Sequence, residues 1–126
     1  MNKNQTLRRI ARKIRKKAEI FADKEGFSED LMGLCDPSSI ALRKALWVAG
    51  IHSRLIEGWF VDSDGEDRGA HYWLEWQGMI VDITATQFGI DKKVHICNKT
   101  DPHYRIYDVC KPPYMLTNIS ELILTT

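Results

Sequence analysis

The sequence predicts an α+β domain in which N-terminal helices pack on an antiparallel β-sheet, and three observations predict it. Leu7, Ile10, Ala11, Ile14, Ala18 and Phe21 recur at helical spacing. A second helical run, residues 36–49, carries Pro37 in its first turn and stops before Gly50. From Ile51 onward the pattern changes to short β-like runs divided by turn residues.

The first helix is expected over about residues 6–23, with Thr6 as its cap and Gly26 beyond its end. Residues 1–26 carry nine Lys or Arg against three acids, a net +6, whereas the remainder is −5. The basic run at residues 8–17 suits contact with nucleic acid, an anionic membrane or an acidic partner. Its interleaved apolar positions favour a plainer reading, a helix docked on the core with a solvated basic face. The second helix places Cys35 at its start. Strands are expected at about 52–61, 70–76, 79–84, 93–97 and 104–110. The acidic run Asp62–Gly69 has Asp67 and Trp73 where a calcium loop needs glycine and glutamate, so it reads as a solvated loop.

With 126 residues, 44% of them hydrophobic and 28% charged, the chain suits a single domain over residues 1–126. No apolar run reaches the roughly 18 residues needed to span a bilayer, which predicts no transmembrane segment. The basic N-terminus lacks the apolar stretch of a secretory signal, so a cytoplasmic protein is expected. Three cysteines, Cys35, Cys97 and Cys110, cannot all pair within the chain, and free thiols are expected. Cys97 and Cys110 lie in β-like runs and read as buried apolar residues.

Cys35 stands apart, because a helix N-terminus offers unpaired backbone N–H groups and a positive dipole end, which favour thiolate over thiol. The same groups can hold a developing oxyanion. A second signal lies in residues 71–84, which read as two strands joined by a tight Gln77-Gly78 turn. A two-residue loop sets Trp76 opposite Met79 and Trp73 opposite Asp82. His71 and Asp82 then become diagonal neighbours on one face, about 7–8 Å apart across the two strands. The other face, with Tyr72, Leu74, Trp76, Met79, Val81 and Ile83, is apolar throughout. A carboxylate beside a histidine fixes its tautomer and stabilises the imidazolium. Glu75 shares the face but lies about 13 Å along the strand from His71, too far to orient it.

Gly33-Leu34-Cys35-Asp36-Pro37-Ser38-Ser39, Ala49-Gly50-Ile51, Gly58, His71-Tyr72-Trp73-Leu74-Glu75 and Val81-Asp82-Ile83-Thr84-Ala85-Thr86-Gln87-Phe88 occur in this order. Together they resemble the transglutaminase-like branch of the papain-like cysteine protease superfamily, over about residues 33–89. The resemblance implies a papain-like fold with Cys35 as nucleophile, His71 as general base and acid, and Asp82 as its orienter. It also implies attack on an amide carbonyl through a thioester, with no cofactor required. A protein or peptide substrate and a peptidase or amidase outcome lead; glutamine deamidation or transglutaminase-type acyl transfer is the alternative. Trp73, beside the proposed site, is expected to shield it or line it as a substrate contact. Residues 31–34 offer no side chain for an oxyanion hole.

Two rival readings remain. His95, Cys97, His103 and Cys110 lie close in sequence, but their spacings match no usual zinc pattern, and no metal site is expected from them. The other rival is a non-catalytic binding module using the basic helix together with Arg43 and Lys44.

Overall fold

The computed structural model describes residues 2–109 and 117–126. Asn2 opens the first helix, α1 (Lys3–Glu25), through a reciprocal capping box with Gln5. This box satisfies the first N–H groups four residues before Thr6, so the helix begins earlier than the expected cap. It ends at Gly26, left-handed at φ 80°. Every member of its apolar stripe, Leu7, Ile10, Ala11, Ile14, Ala18 and Phe21, is buried. Arg8, Arg9, Arg12, Lys13 and Lys16 face solvent. Arg15 is the exception among the cations, with 2% of its surface exposed.

Helix α2 (Cys35–Val48) buries Ile40, Ala41, Leu42 and Leu46 against this stripe. Five antiparallel strands follow: β1 (Arg54–Val61), β2 (Asp67–Trp76), β3 (Met79–Asp82), β4 (His95–Asn98) and β5 (Tyr104–Val109). Their order in the sheet is β4-β3-β2-β1-β5. A closing helix, α3 (Asn118–Leu124), packs on α1 and α2 and buries Ile123 in their core. Cys110, expected to lie buried at the end of a strand, falls outside the described residues. Among those residues no helix is long and apolar enough to cross a membrane.

The β2–β3 hairpin has the register its turn dictates. Gln77 (φ 49°) and Gly78 (φ 75°) both adopt positive φ, as a type I′ turn requires. Trp76 therefore pairs with Met79, Glu75 with Ile80 and Leu74 with Val81. Leu74, Trp76, Val81 and Ile83 join the helices in one core. The alternate residues Trp73 and Ile80 join Ile56, Phe60 and Tyr104 in a second core on the opposite face. Strand β3 stops at Asp82 rather than running to residue 84, because the Asp82 carboxylate accepts the Thr84 backbone N–H and turns the chain. Past that point β2 gains a bond from α2, whose Ser39 Oγ donates to the Tyr72 carbonyl.

Gly58 is required by close approach. It pairs with His71 across β1–β2, and a Cβ built on it would lie 2.2 Å from the Arg105 carbonyl oxygen and 2.5 Å from the Trp73 ring. Neither a backbone carbonyl nor a fully buried indole can yield cheaply. Gly58→Ala is expected to lower stability by about 1–3 kcal/mol. Urea unfolding monitored by tryptophan fluorescence should show this as a reduced midpoint at unchanged slope; an unchanged midpoint would refute the packing.

Candidate active site

Three elements converge. Cys35 is the first residue of α2, His71 lies in β2 and Asp82 ends β3. Leu34 caps the helix without a side-chain hydrogen bond and Pro37 has no N–H, so the backbone N–H groups of Cys35 and Asp36 begin the helix without intrahelical partners. Leu31 (φ 66°) and Gly33 (φ 86°) are both left-handed in the turn that delivers Cys35 to this point. For a buried leucine that conformation costs roughly 1–2 kcal/mol, which the zero exposure of its side chain offsets through packing.

His71 Nε2 and Asp82 Oδ2 lie 2.7 Å apart, and neither residue has any exposed surface. The Cys35 side chain lies near enough to the same ring to help raise its pKa. Since Nε2 is engaged by the carboxylate, Nδ1 is the atom left for the sulfur. Gln87 Nε2 approaches Nδ1 as well, at 3.5 Å, while donating to the Thr84 carbonyl at 3.1 Å. Phe88 and Phe60 present rings edge-on to the imidazole, with centroids at 4.8 Å and 6.3 Å. Cys35 itself is half-buried, whereas His71 and Asp82 behind it are fully buried.

Asp82 is heavily solvated by protein. Its Oδ1 accepts the Thr84 N–H at 2.9 Å and the Thr84 hydroxyl at 3.3 Å. Its Oδ2 accepts both the His71 ring and the Tyr104 hydroxyl, the latter at 2.7 Å. Burial by itself would raise the Asp82 pKa, but the His71 charge and these donors hold it below the usual carboxylate value. Burial likewise works to lower His71, and Asp82 and Cys35 outweigh it, raising the imidazole from 6.5 to about 9. The pair is thus an imidazolium on a carboxylate, with the ring orientation set by the Nε2–Asp82 contact.

All three residues picked from the sequence as catalytic meet here. Trp73 is corrected as a substrate contact: with zero exposure, it packs against His71 and Tyr104 at 5.8 Å and 4.9 Å and forms part of the wall behind the site. Tyr104, Thr84 and Gln87 were missed. Tyr104 sits on β5 and reaches Asp82 on β3 although β1 and β2 lie between them in the sheet. Only a sheet curled toward this face brings those strands together, and no local pattern encodes that. Thr84 and Gln87 did carry a signal, lying two and five residues after Asp82 in the stretch that resembles the family.

Among the described residues one group could hold a metal ion, His95 and Cys97 of β4 with Asp101. Two members of the sequence-derived set are not in it. His103 binds the Val61 carbonyl through Nδ1, and Cys110 is outside the described residues.

The His71 shift has a consequence for stability. A group whose pKa is raised on folding stabilises fully below its unfolded value of 6.5, and this stabilisation is lost as pH rises through about 9. Asp82, lowered on folding, adds stability above about pH 3.8 that is lost as pH falls. The urea midpoint of the wild type should therefore decline between pH 6.5 and 9, and the decline should shrink in His71→Gln. Equal pH slopes in the two proteins would show that the pair is not ionised. A scan against protein-family models and searches of curated proteins and of solved structures each gave no significant match to the chain.

Proposed function

We propose that this chain is a cysteine-dependent acyl-transfer enzyme of the transglutaminase-like, papain-like kind, with Cys35 as nucleophile, His71 as general base and acid, and Asp82 as orienter. The observation that carries the reading is the placement of Cys35 beside the His71 ring, whose Nε2 meets the Asp82 carboxylate at 2.7 Å. A half-buried cysteine at a helix start backed by a fully buried base and acid is the order of access that nucleophilic attack needs.

The Cys35 sulfur adds to an amide carbonyl while its proton resides on His71 Nδ1. The oxygen that gains charge faces the N–H groups at the start of α2, and the Gln87 amide, 3.5 Å from His71 Nδ1, is a side-chain donor for the same role. His71 then passes the proton to the departing nitrogen as the C–N bond breaks, leaving a thioester. Water completes hydrolysis, and an amine in its place completes transfer. A peptide or protein amide leads as substrate, with the peptidase or amidase outcome ahead of glutamine deamidation or amine transfer. A second reading, binding of an acidic partner, is favoured by the cleft in which Arg8, Arg12 and Lys16 of α1 face Lys92 and Lys93.

Reactivity toward iodoacetamide tests the lead without a known substrate. Cys35 should alkylate at neutral pH about tenfold or more faster than Cys97, and His71→Ala should erase the difference. Mapping by mass spectrometry reads both rates. With peptide amides, Cys35→Ala should form no acyl adduct, and Asp82→Asn should lower kcat by up to about 10⁴ if the orienting role holds. Slow, equal labelling of the two thiols, or turnover retained by Cys35→Ala, would falsify the mechanism.

A further inference from the structure

His95 and Cys97 stand two residues apart on β4, so their side chains leave the same face of that strand. The turn after β4 brings Asp101 back to them. One donor atom from each, an imidazole nitrogen, the thiol sulfur and a carboxylate oxygen, lies within 4.8 Å of the others. Two features go beyond proximity. His95 Nδ1 is buried and has no hydrogen-bond partner. Asp101 is held in place, its Oδ1 accepting the His103 backbone N–H at 2.9 Å, so the carboxylate is oriented before any ligand arrives.

We propose that His95, Cys97 and Asp101 form a binding site for a divalent transition-metal ion, zinc above all. A thiolate, a carboxylate and a neutral imidazole carry two negative charges, which a divalent cation cancels in a partly buried place. The sulfur selects against magnesium and calcium, which take oxygen ligands, and the mixed set suits zinc. Tetrahedral zinc with bonds of about 2.0–2.3 Å sets its ligand atoms about 3.3–3.8 Å apart, so the group closes by at most about 1.5 Å on binding. Side-chain rotation covers that distance. Three protein ligands leave a fourth position for water.

Binding replaces the Cys97 S–H bond with a sulfur–metal bond and releases that proton to solvent. The site also abuts the centre described above. His95 pairs with Asp82 across β3–β4, and its ring stacks at 6.2 Å on Tyr104, which donates to Asp82. A bound ion would fasten the outer strand and its turn beside that carboxylate. The inference stands whether or not acyl transfer is the reaction.

The test is titration of the chelator-stripped full chain with Zn²⁺ and with Co²⁺. One equivalent should bind, Tm should rise with Zn²⁺, and Co²⁺ should produce a thiolate-to-metal charge-transfer band. Cys97→Ser should lose that band and the Tm rise, Asp101→Asn should weaken binding, and Cys35→Ala and Cys110→Ser should keep both signals. Absence of binding by the wild type, or a band that survives Cys97→Ser, overturns the proposal.

Discussion

The His71–Asp82 pair is the contact on which the rest of the structure depends. Removing two opposite charges from water costs several kcal/mol per ion, and their attraction repays this only when the remaining lone pairs are satisfied. Asp82 meets that condition through four hydrogen bonds drawn from β2, from the turn at Thr84 and from β5. Each partner arrives by a different structural route. The hairpin turn sets the diagonal of His71 and Asp82, the carboxylate itself ends its strand, and the curl of the sheet delivers Tyr104. The absence of a side chain at Gly58 lets the Trp73 ring settle beneath His71. The pair and the fold are solutions to the same constraint.

Exposure is graded across the site. Cys35 is half-buried, whereas the imidazole and the carboxylate behind it have no exposed surface. The Phe60 and Phe88 rings, stacked at 4.3 Å, flank the imidazole and help keep it dry. In such surroundings each hydrogen bond is electrostatically stronger than in water, and each unsatisfied group costlier. The metal group of β4 and the turn after it lacks this depth, since all three of its residues are half-buried.

Much of this architecture was legible in the sequence, for physical reasons particular to each part. The stripe from Leu7 to Phe21 has one period and one buried face, so its helix declared itself. Gln77-Gly78 admits one tight turn, and the apolar alternation beside it excludes a slipped register, which is why His71 and Asp82 could be paired by counting. Cys35 at a helix start followed from Pro37 and the apolar spacing after it. What escaped is tertiary. Tyr104 lies 22 residues from Asp82 and Asp101 sits in a turn, so neither has a periodic signature that ties it to its neighbours. The cap at Asn2 was passed over because Thr6 also fits the preference, and only the observed hydrogen bonds separate them.

Arg15 gives the basic helix a second identity. From among a row of solvated cations it turns inward, where its guanidinium donates to the Ile83 carbonyl at 2.7 Å, the Thr86 hydroxyl at 2.9 Å and the Glu29 carbonyl at 3.3 Å. Ile83 and Thr86 belong to the turn that follows Asp82, and Glu29 to the segment leading toward Cys35. A shortened chain starting after Gly26 would keep every residue of the family resemblance and still lose the clamp between those two segments. The boundary of the smallest intact fold therefore falls ahead of the helix, at a position that no motif in the chain marks.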